Sequence, residues 1–287
     1  MKKSLSLIEA PISEGSPTRG SEHAFEALVS RGLAEVLEAR TLPMPCPIKD
    51  DSLPVSEKFR DAATVMPVCR TLAESVKEEL EKASFPIVIG GDHSIAMGSI
   101  AGDAAVVSPE ELSVIYIDGH ADINTERSTV SGYIHGMPLA SAMGLCRREL
   151  TVGEGRSLYG KNTFIVGARS IDDGEWPIIK EEGVHLYTAE EVKKRGIGDV
   201  IREVLSSVRT KAIHVSFDVD ALDGDEFPAT GYVMPNGLAR EDVREALGAI
   251  LADGRVISLD CVEYNPKLDP TEENGAWLIG LLYDLFT

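Results

Sequence analysis

The feature that most constrains this chain is a short β-type apolar run that recurs along it and ends each time in polar or acidic residues. Phe85 to Ile89 runs into Gly90-Gly91-Asp92-His93-Ser94, and Leu112 to Ile117 into Asp118-Gly119-His120-Ala121-Asp122. Thr163 to Val166 leads to Gly167-Ala168-Arg169-Ser170, Ala212 to Phe217 to Asp218-Val219-Asp220, and Arg255 to Leu259 to Asp260-Cys261-Val262-Glu263. Helical periodicity fills the intervals, at Val68 to Lys82, Glu190 to Val208, Arg240 to Ala252 and Gly275 to Phe286. Strands alternating with helices predict an α/β fold of three layers, α/β/α, around a central, mostly parallel sheet. In such sheets ligands bind outside the carboxyl ends of the strands, which is where the polar clusters fall.

With 287 residues, no repeat and no long linker, the chain is expected to form a single domain over 1–287; Leu42 to Pro54, its most proline-rich stretch, reads as a surface loop. A chain of this length buries enough surface to fold without disulfides or a structural metal, so a metal would be there for chemistry. The net charge of −19 argues against nucleic acid or an anionic membrane as partner. Cys46, Cys69, Cys146 and Cys261 form no CxxC pair and follow no secretion signal, and no run of apolar residues is long enough to span a bilayer. These features predict a cytoplasmic protein with reduced thiols.

Asp118, His120 and Asp122 stand at i, i+2 and i+4, so they share a face if strand geometry continues past Ile117. Asp218 and Asp220 repeat the spacing, and His93 closes a glycine turn after a third strand. Each cluster alone also admits a reading as a polar turn or solvated loop, because Asp and Gly are common after strands. Together, at three strand ends and with no basic neighbour in sequence, they would repel one another unless a cation or protons neutralised them. Four aspartates and two histidines form an oxygen-rich set without thiolate, suited to Mn²⁺ rather than structural zinc. Six ligands exceed what one catalytic ion needs; two ions about 3.5 to 4 Å apart, sharing carboxylates, would use them all. His135, in a glycine-flanked loop beyond this segment, is a candidate proton shuttle. His23, His185 and His214 read as packing or surface residues.

The segments Gly90-Gly91-Asp92-His93-Ser94, Asp118-Gly119-His120-Ala121-Asp122, Ser216-Phe217-Asp218-Val219-Asp220 and Glu263-Tyr264-Asn265-Pro266 resemble, in order and spacing, the signatures of the arginase (ureohydrolase) family. The resemblance runs from Ala10-Pro11 to Asn265-Pro266 and implies a binuclear manganese amidinohydrolase. By it, His93, Asp118, Asp122 and Asp218 would hold one Mn²⁺, and His120, Asp118, Asp218 and Asp220 the other. A hydroxide bridging the ions would attack the guanidinium carbon of a small guanidino substrate. Glu263 would orient the guanidinium, His135 would give a proton to the departing amine, and Ser216 would help relay protons to His135. Asn124, Thr129 and Ser131 match residues that bind the α-carboxylate of L-arginine, while Asp172 and Glu175 match those near its α-amino group. The expected reaction is hydrolysis of L-arginine to L-ornithine and urea, by a homotrimer or homohexamer.

Three departures motivate the alternative of a sister enzyme acting on agmatine, guanidinobutyrate or another guanidino or formimino compound. Tyr133 stands where arginases usually carry asparagine, Ser170 where they carry aspartate, and Tyr232 where threonine is usual. Gly224, where a proline follows the aspartate in relatives, concerns loop geometry. A catalytically silent scaffold is disfavoured, because all six metal positions are filled and His135 and Glu263 are both present.

Overall fold

The computed structural model describes residues 4–44 and 48–287. Its strands are β1 (Leu5–Glu9), β2 (Arg40–Leu42), β3 (Phe85–Ile89), β4 (Leu112–Ile117), β5 (Thr163–Ala168), β6 (His185–Thr188), β7 (Ala212–Asp218) and β8 (Val256–Val262). They form one sheet in the order β2-β1-β3-β8-β7-β4-β5-β6. Every pairing in it is parallel. Every residue of β3, β4, β5 and β7 is buried, which is why these strands read as unbroken apolar runs rather than as alternation.

Side chains still alternate between the two faces. Val114 and Tyr116 of β4 join a core with the helices Ala62–Glu81 and Ala96–Val106, while Ile115 and Ile117 join one with Ile197–Ser207, Arg240–Ala252 and Glu273–Phe286. Helices on both faces complete the three layers. Among the described residues, no helix is long and apolar enough to cross a membrane.

Several boundaries differ from the sequence expectation. The helix expected from Val68 begins at Ala62 and contains Pro67. A proline inside a helix leaves the carbonyl four residues earlier without its donor, and here that carbonyl, Ala63 O, accepts the Asp50 amide at 2.8 Å instead. The single helix expected over Glu190 to Val208 is two, Ala189–Arg195 and Ile197–Ser207, broken where Gly196 takes φ 87°. Asp260, expected in the polar cluster after a strand, lies inside β8 and is fully buried. Cys69, Cys146 and Cys261 are buried free thiols, whereas Cys46 lies outside the described residues.

The sheet order positions the site. β3, β8, β7 and β4 are consecutive neighbours, although in sequence β4 follows β3 and β8 comes last. Their carboxyl ends therefore bring together His93, Glu263, Asp218 and Asp118, each from a different strand. The chain passes from one half of the sheet to the other between β3 and β4, and crevices at such reversals are where open α/β sheets bind ligands.

Candidate metal centre

His93 opens a short 3-10 turn, His93–Ile95, directly after β3. Gly90 and Gly91, just before it, take φ 94° and 80°, and a Cβ on Gly91 would approach Ala10 O to 2.8 Å. Only glycine fits there without strain. The His93 ring is buried, stacks at 4.3 Å on Tyr116 of β4, and turns Nδ1 toward three carboxylates. Asp118 Oδ2 lies 2.8 Å away, Asp218 Oδ2 3.1 Å and Asp122 Oδ2 3.5 Å.

Strand geometry does not persist through Asp118, His120 and Asp122, contrary to the expectation from their spacing. β4 ends at Ile117, His120 makes only an isolated bridge to Ser170, and Asp122 adopts φ 50°. The three side chains converge because the loop folds back. Asp118 Oδ1 accepts the His120 amide at 2.6 Å, and the Tyr116 hydroxyl donates to Asp122 Oδ2 at 3.0 Å. Gly119 passes so close to the Asp220 turn that a Cβ would meet Asp220 O at 2.8 Å, and its amide donates to Asp220 Oδ1 at 3.1 Å. Asp220 Oδ2 is then 3.0 Å from His120 Nδ1.

The arrangement suits a divalent cation. His93, Asp118 and Asp122, and likewise Asp118, His120 and Asp220, each bring three ligand atoms within 4.8 Å of one another. His93 Nδ1 and Asp118 Oδ2 are buried without a hydrogen-bond partner despite their proximity, and buried polar atoms left so are costly unless something else satisfies them. Asp218 completes the ring of donors beside His93.

The electrostatics agree. Burial opposes charge on His93, yet the close Asp118 and Asp218 carboxylates hold its pKa well above the usual value. Burial and the Asp118 charge, partly offset by His93, push Asp122 up to about 8. Burial and the charges of Asp220 and Asp118 raise Asp218 as well. Without a cation the cluster therefore keeps protons near neutrality, and a cation must displace them. Uptake of a divalent cation is expected to release protons below about pH 8 and to tighten as pH rises through neutrality. Titration calorimetry at pH 7 in buffers of different ionisation enthalpy measures this; heats independent of the buffer would contradict it.

Around the cluster, His135 Nδ1 lies 3.2 Å from Glu263 Oε1, which also accepts the His93 amide at 3.0 Å. Glu263 holds φ 63°. Burial opposes the charged form of His135, and Glu263 outweighs it, raising the pKa. Ser216, expected to relay protons to His135, instead bonds His93 Nε2 at 2.8 Å and Asp260 at 3.3 Å. It points away from the shuttle because β7 alternates its side chains and β8 supplies Asp260 beside it.

A cavity of about 270 Å³ opens onto this cluster, and its lining includes His120, Asp122, His135, Asn124, Thr129, Ser131, Asp172 and Glu175. Asn124 Nδ2 donates to Asp172 Oδ2 at 2.9 Å. Thr129 Oγ1 accepts the Gly132 amide at 2.9 Å, and Ser131 Oγ the Tyr133 amide at 3.3 Å. Each hydroxyl keeps its proton to donate. Glu175 accepts the Ile123 amide at 3.0 Å and the Asp172 amide at 2.8 Å, so it clamps the two loops together, and burial pushes its pKa up to about 7.

Sequence reasoning missed the supports of this site. Arg169 donates to the carbonyls of Asp220, Ala221, Leu222, Met234 and Pro235, tying the Tyr232 loop to the Asp220 turn. Tyr116 carries no polar neighbour in sequence that would reveal its place behind His93. Of the three departures from the arginase pattern, Ser170 and Tyr232 line the cavity. Tyr232 stacks on His135 at 5.5 Å and meets His120 edge-on at 5.3 Å. Tyr133 meets His135 edge-on at 6.3 Å, with the Arg60 guanidinium 5.1 Å from its ring centre.

Comparison with known proteins gives a consistent result. The profile described as the Arginase family matches residues 3–285. The chain is 33% identical to the arginase of Bacillus subtilis (strain 168), over 99% of this chain and 98% of that one. It is 34% identical to Arginase-1 of Homo sapiens, over 94% of this chain and 88% of that one. The solved arginase of Bacillus caldovelox superposes with a TM-score of 0.92 at 32% identity, covering 99% of this chain and 98% of that one.

Proposed function

This chain belongs to the arginase family, and on that premise we propose that it hydrolyses L-arginine to L-ornithine and urea with two Mn²⁺ ions. The observation that carries the reading is the convergence of four strand ends on one cluster of acids and imidazoles, beside a cavity lined by Asn124, Thr129, Ser131, Asp172 and Glu175.

His93, Asp118, Asp122 and Asp218 would hold one ion, and His120, Asp118, Asp218 and Asp220 the other. Bound there, the pair supplies hydroxide near neutral pH by depressing the pKa of water. The guanidinium is a cation at any physiological pH, so Glu263 orients it by a charge-assisted hydrogen bond. Glu263 also raises the pKa of His135, which favours the form that can give a proton to the departing amine. Asn124, Thr129 and Ser131 offer donors to the α-carboxylate. Asp172 faces the α-amino group, with Glu175 fixing its loop. Tyr232, over His135 and His120, walls the cavity beside the reacting end.

The second reading, a related guanidino or formimino compound as substrate, draws on the position of Tyr232 and Ser170 in the lining. Urea release from L-arginine by manganese-loaded protein, lost on chelation and regained on adding Mn²⁺, is the expected result. Absence of urea from a fully loaded sample would refute the arginase reading.

A further inference from the structure

Behind His93, on the side away from the cavity, lies a second polar cluster. His214 of β7 is fully buried, with Nδ1 2.8 Å from both Asp103 Oδ2 and Ser258 Oγ, and Nε2 3.1 Å from Asp260 Oδ2. Asp260 Oδ2 also accepts from Ser99 at 2.6 Å and from Ser216 at 3.3 Å. Ser216 Oγ in turn stands 2.8 Å from His93 Nε2. Asp103, His214, Ser216, Ser258, Ser99 and Asp260 all have zero exposure.

As packing alone this cluster is a poor choice. Buried polar networks seldom stabilise a core more than apolar side chains of the same shape would, and Asp103 and Asp260 each keep one buried oxygen without a partner. What the cluster has is direction. Ser216 Oγ donates its one proton to Asp260 Oδ2. Toward His93 it can then only accept, and His93 Nε2 must carry the ring proton. The ring nitrogen opposite a hydrogen bond is the one left with a lone pair, and that is Nδ1, which faces Asp118, Asp122 and Asp218. His214 holds Asp260 in place from behind, with Asp103 on its other ring nitrogen.

We propose that the chain Asp103, His214, Asp260, Ser216 is a positioning device that fixes the tautomer and ring orientation of His93 for metal binding. Asp260 sets the polarity of the chain, and His214 is a positioning residue rather than inert packing. The inference rests on the metal-site reading above.

The test compares full-length wild type with Ser216→Ala, Ser216→Thr and Asp260→Asn. The Mn²⁺ affinity of metal-free protein is measured by competition with a chelator, and thermal midpoints are recorded with and without metal. Loss of such an outer hydrogen bond weakens metal binding about 10- to 100-fold. That loss is expected for one of the two ions in Ser216→Ala and Asp260→Asn, with Ser216→Thr, which keeps the hydroxyl, closer to wild type. Should Ser216→Ala fail to fold, Asp260→Asn reads the same chain one bond further back. Variants whose metal-free midpoint falls while manganese affinity stays at the wild-type value would overturn the proposal and leave the metal site intact. A wild type that takes up no manganese would overturn both.

Discussion

Asp118→Asn is expected to abolish urea formation, by at least about 10³-fold, because hydroxide at neutral pH depends on ions that bring the pKa of water from 15.7 to about 7. Asp118 is fully buried at the centre of the cluster, with Oδ1 on the His120 amide at 2.6 Å and Oδ2 facing His93 Nδ1 at 2.8 Å. Asparagine matches its shape, but it removes one charge and turns one acceptor into a donor. Both proposed ions share Asp118, so the manganese content should fall below two per chain. The metal-free variant should remain folded, since the substitution relieves repulsion among Asp118, Asp122 and Asp218. Metal analysis alongside steady-state kinetics checks this. A variant that kept two ions and a tenth of the activity would rule out the proposed bridging role.

The second large effect concerns substrate choice. L-arginine is expected to exceed agmatine in kcat/KM by at least about 10³-fold, because a site built to hydrogen-bond one group strongly rejects the analogue that lacks it. Agmatine has no carboxylate for Asn124, Thr129 and Ser131; of these Asn124 and Thr129 are buried, and a buried donor left without its partner costs about 1–3 kcal/mol. A compound lacking the α-amino group, such as 4-guanidinobutyrate, would instead leave the Asp172 carboxylate without its cation. Parallel kinetics on the three compounds decide the matter. Preference for agmatine or guanidinobutyrate would mean that Tyr232, stacked on His135, and Tyr133, held under Arg60, have reshaped the cavity for another guanidine. The metal chemistry would be unchanged, because neither tyrosine touches the six proposed ligands except at the edge of His120.

Much of the site is legible in the order of amino acids, because its signals are local. Buried parallel strands announce themselves as short apolar runs, so β3 and β4 begin and end where the sequence places them. The acidic residues that follow need only spacing to be noticed. Elsewhere local rules mislead. Pro67 argues for a helix start, yet a loop amide from Asp50 takes the place of the missing donor. Asp118, His120 and Asp122 look like one face of a strand, but it is the positive φ of Asp122 that turns its carboxylate toward His93.

The residues behind the site are hidden for a related reason. An aspartate after a strand reads as part of a loop, and a histidine within an apolar run reads as packing. Asp260 and His214 acquire meaning only once β8 lies beside β7 and the helix Ala96–Val106 brings Asp103 and Ser99 against them. Residue order alone dictates the chemical identity of the donors, the alternation of strands and helices, and the end of the sheet where polar groups gather. Folding of the whole chain was needed to make β3, β8, β7 and β4 neighbours, to choose which nitrogen of His93 faces the acids, and to give Ser216 to His93 rather than His135. Local periodicity comes from each residue's own backbone geometry. Strand order and side-chain partnership join residues as far apart as His93 and Glu263, separated by 170 positions, and are settled by the packing of the whole sheet.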